Sequence, residues 1–200
     1  MYPGGQGVLD SCPWLRPSAV AHPESTTERE PIMDANQAAL MRDGLLGKLE
    51  NEHKATIAMI EHLPEDKLTY TPSDKLRSFA DLTFHIYNVG VWFTDTMVKG
   101  EADFSDGGDK PETPGTKTAL IEACQKLNQQ VAKTAADVSP DALTKDVPFG
   151  DFGTFPAVSY LDWHISHLIH HRGQLSVYLR MMGAKVPATY GDSLDYPLNM

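Results

Sequence analysis

The stretch HISHLIHHRGQ, residues 164–174, carries four histidines within eight positions. On a helical wheel His164, His167 and His171 share the inward-facing stripe, whereas His170 points about 100° away, toward the flank. A buried imidazole needs partners for its ring nitrogens, and an unpaired buried polar group costs about 1–3 kcal/mol. One cation accepting several imidazole lone pairs would satisfy the group. The stretch therefore predicts a helix that supplies ligands to a metal ion.

Apolar residues spaced three and four apart predict four amphipathic helices in the chain. Ser78, followed three residues later by Asp81, is typical of a capping box at the start of the second helix. Pro156 in the first turn and Gly183 after the last turn suit the fourth helix. With no convincing sheet, the pattern favours an all-α, four-helix bundle. The predicted helices span about residues 35–63, 78–100, 116–138 and 156–182.

The connecting segments differ in character. Residues 145–155, KDVPFGDFGTF, predict a short hairpin or ordered loop between the third and fourth helices. Residues 99–115 are long for a bundle turn, and they would let the chain cross the end of the bundle so that helices two and three run the same way. Residues 1–32 are rich in proline and glycine, which predicts a flexible N-terminal tail, either a start-site or cloning extension or a native one. The domain is expected at residues 33–200.

Composition narrows the function classes. The net charge of −10 and the pI of about 5.1 argue against nucleic-acid binding and against attachment to an anionic membrane. No apolar run approaches the roughly 20 residues of a membrane span, and the first residues lack a secretory signal. With Cys12 in the tail and Cys124 on an apolar stripe, a disulfide framework is not expected. We therefore expect a cytoplasmic protein.

Histidine spacing defines the candidate metal ligands. His167 and His171 are four residues apart, so their Cβ atoms should lie about 5–6 Å from each other on one helix face. That separation suits two imidazoles that converge on one ion at about 2.0–2.1 Å. His85, between Leu82 and Ile86 on the second helix, is the natural third ligand, and His53 is the second choice. Three imidazoles suit zinc, nickel, iron or copper.

Neighbouring residues have competing interpretations. His164 is interpreted as a core polar group or a partner of the ligands, and His170 as a partly exposed flank. Arg172 is either an anchor for a carboxylate or, the interpretation we favour, half of a structural salt bridge. Gly173 is expected to permit close helix packing. Asn88 and Asp81 are possible acceptors for imidazole N–H groups. Four aromatic residues could border a pocket, although ordinary core packing is favoured for them: Tyr87, Trp92, Tyr160 and Trp163.

Three stretches together resemble the DinB-like metalloprotein family. Residues 167–191, HLIHHRGQLSVYLRMMGAKVPATYG, resemble its closing helix, with the pattern H-x-x-x-H-R-G-Q followed by VP..YG. Residues 77–89, RSFADLTFHIYNV, resemble the second helix, whose histidine falls at His85. Residues 63–78, LPEDKLTYTPSDKLRS, resemble the first connection. The resemblance covers most of residues 35–195.

The resemblance implies a four-helix bundle of up-down-down-up order, often dimeric, with a divalent metal near one end. The implied ligands are His85, His167 and His171. Family members with known activity use a low-molecular-weight thiol, such as mycothiol, bacillithiol or glutathione, and act as thiol S-transferases or thiol-dependent isomerases. The resemblance therefore predicts that a metal ion (Zn, Ni or Fe) activates a thiol toward an electrophilic substrate.

Two other functions are compatible with the sequence. One is a non-catalytic metal-binding module of a stress response, which would bind metal without turnover of thiol and electrophile. The other is a metal hydrolase, which would need a base beside the bound water. Only His53 and His164 are evident candidates for that base, so the hydrolase ranks last.

Overall fold

The computed structural model describes residues 32–104 and 112–197, and this part of the chain is mostly helical. The predicted tail at residues 1–32 lies outside it, apart from Ile32, as does the middle of the 99–115 connection. None of the described helices has the length and apolar character needed to cross a membrane. The elements are α1 (Ala35–Glu61), α2 (Phe79–Lys99), α3 (Lys117–Asp137), α4 (Pro140–Leu143), β1 (Asp146–Pro148), β2 (Thr154–Pro156) and α5 (Ser159–Met181).

Side-chain caps set the starts of the first three long helices. Asp34 and Gln37 form a capping box at α1, in which each side chain accepts the other's backbone N–H at 2.8 and 2.9 Å. The Ser78 hydroxyl accepts the N–H of Asp81 at 3.1 Å, as the sequence predicts for α2. Thr116 caps α3 in the same way. These caps satisfy backbone donors that have no partner within the helix.

The predicted hairpin between the third and fourth long helices is confirmed. Strands β1 and β2 are antiparallel, with Val147 opposite Phe155. Gly150 and Gly153 form the turn with φ of 51° and 116°, a region that glycine tolerates best. The short helix α4 was not predicted, although Ser139 before a proline is a usual helix-start signal.

The predicted start of the last helix at Pro156 is wrong. Pro156 ends β2, and α5 begins at Ser159. The backbone N–H of Ala157 donates to the carbonyl of Lys145 at 2.9 Å. With the bond from the N–H of Val158 to the carbonyl of Leu143 at 3.1 Å, it holds a turn at residues 157–158 between the strand and the helix.

The four long helices pack around one core, in which α2 contacts α3 and α5, and α1 contacts the same two helices. The Arg42 guanidinium, near the start of α1, donates to the carbonyl of Val138 after α3 at 2.9 Å. The Lys117 ammonium, at the start of α3, donates to the carbonyl of Leu63 after α1 at 3.1 Å. Spacings of three and four in the sequence predict an inward stripe on α1, and all of its members are buried except Leu46, which is partly buried: Leu46, Leu49, His53, Thr56, Ile60 and Leu63.

The side chain of His164 on α5 packs directly against Gly90 on α2. A Cβ atom there would lie 2.3 Å from Cε1 of His164, far inside van der Waals contact. The glycine therefore leaves the space that the buried imidazole of His164 occupies. This approach brings the faces of the two helices that carry histidines together.

Candidate metal centre

Three histidines from two helices form one group at the α2–α5 contact. His85 lies on α2, and His167 and His171 lie on α5. One ring nitrogen from each lies within 4.8 Å of the other two. The ring centroids are 4.4 Å apart for His167 and His171, and 5.1 and 5.3 Å from His85 to each. All three side chains are partly exposed, so the group could hold a metal ion that small molecules can reach.

The approach at Gly90 explains why these residues meet. His85 lies five residues before Gly90 on α2, while His167 and His171 lie three and seven residues after His164 on α5. When the two helices run in opposite directions, five residues before Gly90 on α2 lies at the same level along the bundle axis as three to seven residues after His164 on α5. The i, i+4 spacing of the α5 pair then directs both rings to the same side.

The side chain of Gln174 orients His171. The Nδ1–H of His171 donates to Oε1 of Gln174 at 2.7 Å, and the amide nitrogen of Gln174 lies 3.3 Å from Nε2 of His170. Both contacts require the same orientation of the Gln174 amide. Its oxygen, which accepts, faces Nδ1–H of His171, and its NH2 group, which donates, faces His170. The bond leaves Nε2 of His171 with its lone pair available, as in proteins where an outer hydrogen bond selects the nitrogen that binds a metal.

His167 carries a nitrogen without a partner. Its Nδ1 is buried and has no hydrogen-bond partner among the described residues. Burial, with a smaller contribution from charge on the neighbouring His171 and His85, lowers the pKa of His167 to about 3. Burial also lowers the pKa of His171. Both rings are therefore neutral at neutral pH, which is the form in which imidazole binds metals, and a cation suits this set of donors.

The remaining core histidines do not belong to the group. Nδ1 of His53 and the hydroxyl of Tyr87 are hydrogen bonded at 2.8 Å, so the second choice of ligand is an ordinary core histidine. His164 is fully buried, and both of its nitrogens lack hydrogen-bond partners within the described chain. Burial lowers the pKa of His164 to about 4. Neither ring offers an accessible base, so the structure gives the hydrolase alternative no support.

Arg172 forms the structural salt bridge that we favoured. Its guanidinium pairs with the carboxylate of Glu52, and the two side chains are only 4% and 7% exposed. The Tyr190 hydroxyl donates to the same carboxylate at 2.7 Å, and the guanidinium lies 4.9 Å from the centre of the Tyr190 ring. Arg172 is therefore not free to anchor a ligand. The packing role predicted for Gly173 is wrong, because a Cβ there would meet nothing within 4 Å.

Other predicted neighbours contact groups outside the site. The Asn88 amide donates to the carbonyl of Phe84 at 2.9 Å, within its own helix. The carboxylate of Asp81 accepts from the hydroxyls of Ser78 and Thr113, each at 2.7 Å. These bonds to its oxygens also lower the pKa of Asp81. Gln174 takes the role that we assigned to these two residues, and its i+3 spacing from His171 is the signal that could have identified it.

The remaining candidates belong to the core. Tyr87 and Tyr160 are fully buried, which confirms the packing interpretation for both. Trp92 and Trp163 are partly buried and pack against the core. Cys124 is fully buried on α3, and burial raises the pKa of its thiol far above the usual value, so it lacks the thiolate that a nucleophile needs.

The fold and the histidine group together define a class: a helical protein with three imidazoles that could hold one metal ion. The chain belongs to the DinB family, whose model matches residues 34–197. This result confirms the family resemblance found in the sequence.

Solved structures show the same fold. A DinB-like protein from Bacillus subtilis is 20% identical with a TM-score of 0.61, and the match covers 73% of this chain and 97% of that one. A DinB-like protein from Bacillus cereus is 22% identical with a TM-score of 0.61, and the match covers 74% and 97%. No match is found among curated proteins. At these identities the similarity establishes the fold and carries no conclusion about activity.

Proposed function

We propose that this protein is a metal-dependent enzyme in which His85, His167 and His171 bind one divalent ion, Zn, Ni or Fe. The observation that carries the proposal is the convergence of three ligand nitrogens within 4.8 Å of one another. The Nδ1 of His167 also supports the proposal. This nitrogen is buried without a hydrogen-bond partner among the described residues, which lowers the stability of the fold unless another group, such as a metal ion, interacts with the ring.

The proposed reaction is transfer of a low-molecular-weight thiol to an electrophile, or a thiol-dependent isomerisation. A divalent ion held by three neutral ligands keeps its full charge and an open position, and it would lower the pKa of a bound thiol. Partial exposure of the three imidazoles leaves the group accessible to a small molecule. The family resemblance supports a thiol rather than water as the nucleophile.

Protein side chains hold the imidazoles in position. Gln174 accepts the Nδ1–H of His171 and fixes the orientation of that ring. The ion pair of Arg172 with Glu52 ties α5 to α1 one residue beyond His171, and Tyr190 ties the C-terminal segment to the same pair. A rigid outer layer of this kind is what a metal site requires.

Metal analysis of purified variants tests the ligand assignment. We expect one divalent ion per chain in the wild type, and loss of that ion in His85→Ala, His167→Ala and His171→Ala. His62→Ala is the matched control, because His62 lies at the end of α1, bonded to Tyr196, and is not a member of the group. Full occupancy in all of the variants would contradict the assignment.

Turnover is tested separately. The metal-loaded protein is incubated with mycothiol, bacillithiol or glutathione and an electrophile, and consumption of thiol is followed with and without a chelator. Thiol consumption that the chelator abolishes supports the enzyme. Stable metal binding without turnover of any of the three thiols would favour the non-catalytic metal-binding module instead.

We also propose the up-down-down-up order for α1, α2, α3 and α5. The contacts of Arg42 and Lys117 support opposite directions for α1 and α3, and the histidine contacts support opposite directions for α2 and α5. A cytoplasmic homodimer formed by a domain at residues 33–200 is part of the same proposal. Light scattering after size-exclusion chromatography measures the oligomeric state, and a single-chain mass would refute the dimer.

A further inference from the structure

We propose that Arg77 is a specificity residue that binds the carboxylate of a small molecule held at the three-histidine group. The inference rests on the proposed function and extends it by naming the chemical class of the ligand. Arg77 was not among the residues singled out in the sequence.

The position of Arg77 is fixed by contacts of its backbone. Its carbonyl accepts a hydrogen bond from the hydroxyl of Tyr178 on α5 at 3.3 Å. The loop before α2 is held by further bonds, from the N–H of Phe79 to the carbonyl of Tyr70 at 2.9 Å, and from Ala80 to Leu68 at 3.1 Å. Arg77 is thus attached both to the start of the helix that carries His85 and to the helix that carries the other two histidines.

The contact with Tyr178 places the Arg77 backbone about two turns of α5 from His171. Tyr178 is seven residues beyond His171, which is almost two turns, so both residues lie on the same face of α5 about 10 Å apart along the axis. The Arg77 side chain itself is exposed. Burial is the largest cause of the lowered pKa of His171, and the charges of His170 and, last, of Arg77 act in the same direction, which agrees with the placement of Arg77 beside Tyr178.

The guanidinium of Arg77 is available for a ligand. Within residues 32–104 and 112–197 it forms no ion pair. Asp81 feels its charge, but the oxygens of that carboxylate accept from Ser78 and Thr113. Arg172, the anchor considered from the sequence, is buried against Glu52. Among the described residues, the Arg77 guanidinium is therefore open to an incoming carboxylate, whereas that of Arg172 is not.

Charge supports an anionic ligand at this place. The chain as a whole has a net charge of −10, so its overall charge does not attract an anion. An accessible guanidinium beside neutral imidazoles reverses that field locally. Its planar fork of donors matches a carboxylate, which it binds with two parallel hydrogen bonds. The carboxylate belongs either to the thiol or to the electrophile.

Binding measurements on the full chain loaded with Zn²⁺ test the inference. The thiol probes are 3-mercaptopropionate and its amide, and the electrophile probes are 4-chloro-3-nitrobenzoate and its amide. We expect Arg77→Gln to raise the Kd of one or both acids about ten-fold while the Kd of the matching amide stays unchanged. Arg77→Lys, which keeps the charge without the fork, should give an intermediate loss. The acid that responds identifies which reactant carries the carboxylate.

Lys75→Gln is the matched control, since Lys75 is an exposed cation in the same loop. It should change the Kd of each acid less than two-fold. The inference is overturned if Arg77→Gln weakens acid and amide equally, or affects neither acid, or if Lys75→Gln has the same effect. Replacing the Arg77 side chain leaves its carbonyl bond to Tyr178 available, so the variant should fold.

A separate measurement distinguishes the two proposals. If the protein does not bind Zn²⁺, the proposed function fails, and the same probes are then titrated into the metal-free chain. If the metal-free chain binds the acids more tightly than the amides, and Arg77→Gln removes that difference, then Arg77 binds the carboxylate even without the metal. Equal binding of acids and amides by the metal-free wild type would overturn the anchor as well.

Discussion

Gly90→Ala gives a direct test of the packing between α2 and α5. In most helix interiors this substitution stabilises by about 1 kcal/mol, because alanine is the better helix former. Here the new methyl group would lie 2.3 Å from Cε1 of His164 and under 3 Å from both ring nitrogens. Overpacking in a rigid core costs about 1–3 kcal/mol, and this contact belongs at the upper end. We expect a net destabilisation of about 2 kcal/mol.

The sign of the effect should reverse when the imidazole is removed. In a His164→Ala background the methyl group has room, so Gly90→Ala should stabilise by up to about 1 kcal/mol. The coupling between the two positions would then be about 3 kcal/mol, which is large for one pair. Gly47→Ala is the matched control, because Gly47 lies in α1 and a Cβ there meets nothing within 4 Å. It should stabilise by about 1 kcal/mol.

Urea unfolding in the presence of a chelator measures the free energies of unfolding of the wild type, the two single variants, the double variant and Gly47→Ala. The chelator removes any contribution from bound metal, which would otherwise stabilise the folded state. If Gly90→Ala stabilises the wild type as much as Gly47→Ala does, the close approach of the two helices is wrong. The shared height of the three histidines would then lose its explanation.

Further predictions concern the outer contacts of the site and the core thiol. Gln174→Leu should weaken metal binding by about 10–100-fold in a competition titration, because it removes the acceptor that orients His171. Glu52→Gln should lower the free energy of unfolding by about 3–5 kcal/mol, since it leaves the buried Arg172 guanidinium without a counter-charge; a change below 1 kcal/mol in urea unfolding would show that solvent compensates that charge. In a Cys12→Ser variant, Cys124 should react with a disulfide reagent only as the chain unfolds; rapid reaction of the folded protein would refute its burial.

Sequence periodicity predicted the long helices, because each has a buried apolar stripe, and α1, α2 and α3 each begin at a side-chain cap. Ser78 and Thr116 lie at the predicted starts of α2 and α3. The start of α5 was misplaced because proline suits both a first helical turn and the end of an edge strand. The pairing of β2 with β1 and the bonds of Ala157 to Lys145 and of Val158 to Leu143 decide between these two, and those contacts join residues well apart in the chain.

The group of three histidines followed from the spacing within α5 and from the place of His85 on an apolar stretch of α2, and the family resemblance agreed with both. The spacing of residues along one helix could not predict which side chains from other segments surround the three histidines. The pairing of Arg172 with Glu52 and Tyr190 joins three distant segments, and no periodic pattern indicates such a contact. The same is true of Arg77, whose relevance depends on where the loop before α2 meets Tyr178.

The division of the three imidazoles between α2 and α5 has a consequence for biosynthesis. His85 leaves the ribosome well before His167 and His171, which belong to the last helix described. A nascent chain that lacks α5 contains His85 but neither His167 nor His171, so the group cannot assemble before α5 has been made. Any ion that the three histidines hold together must therefore bind after α5 has been made.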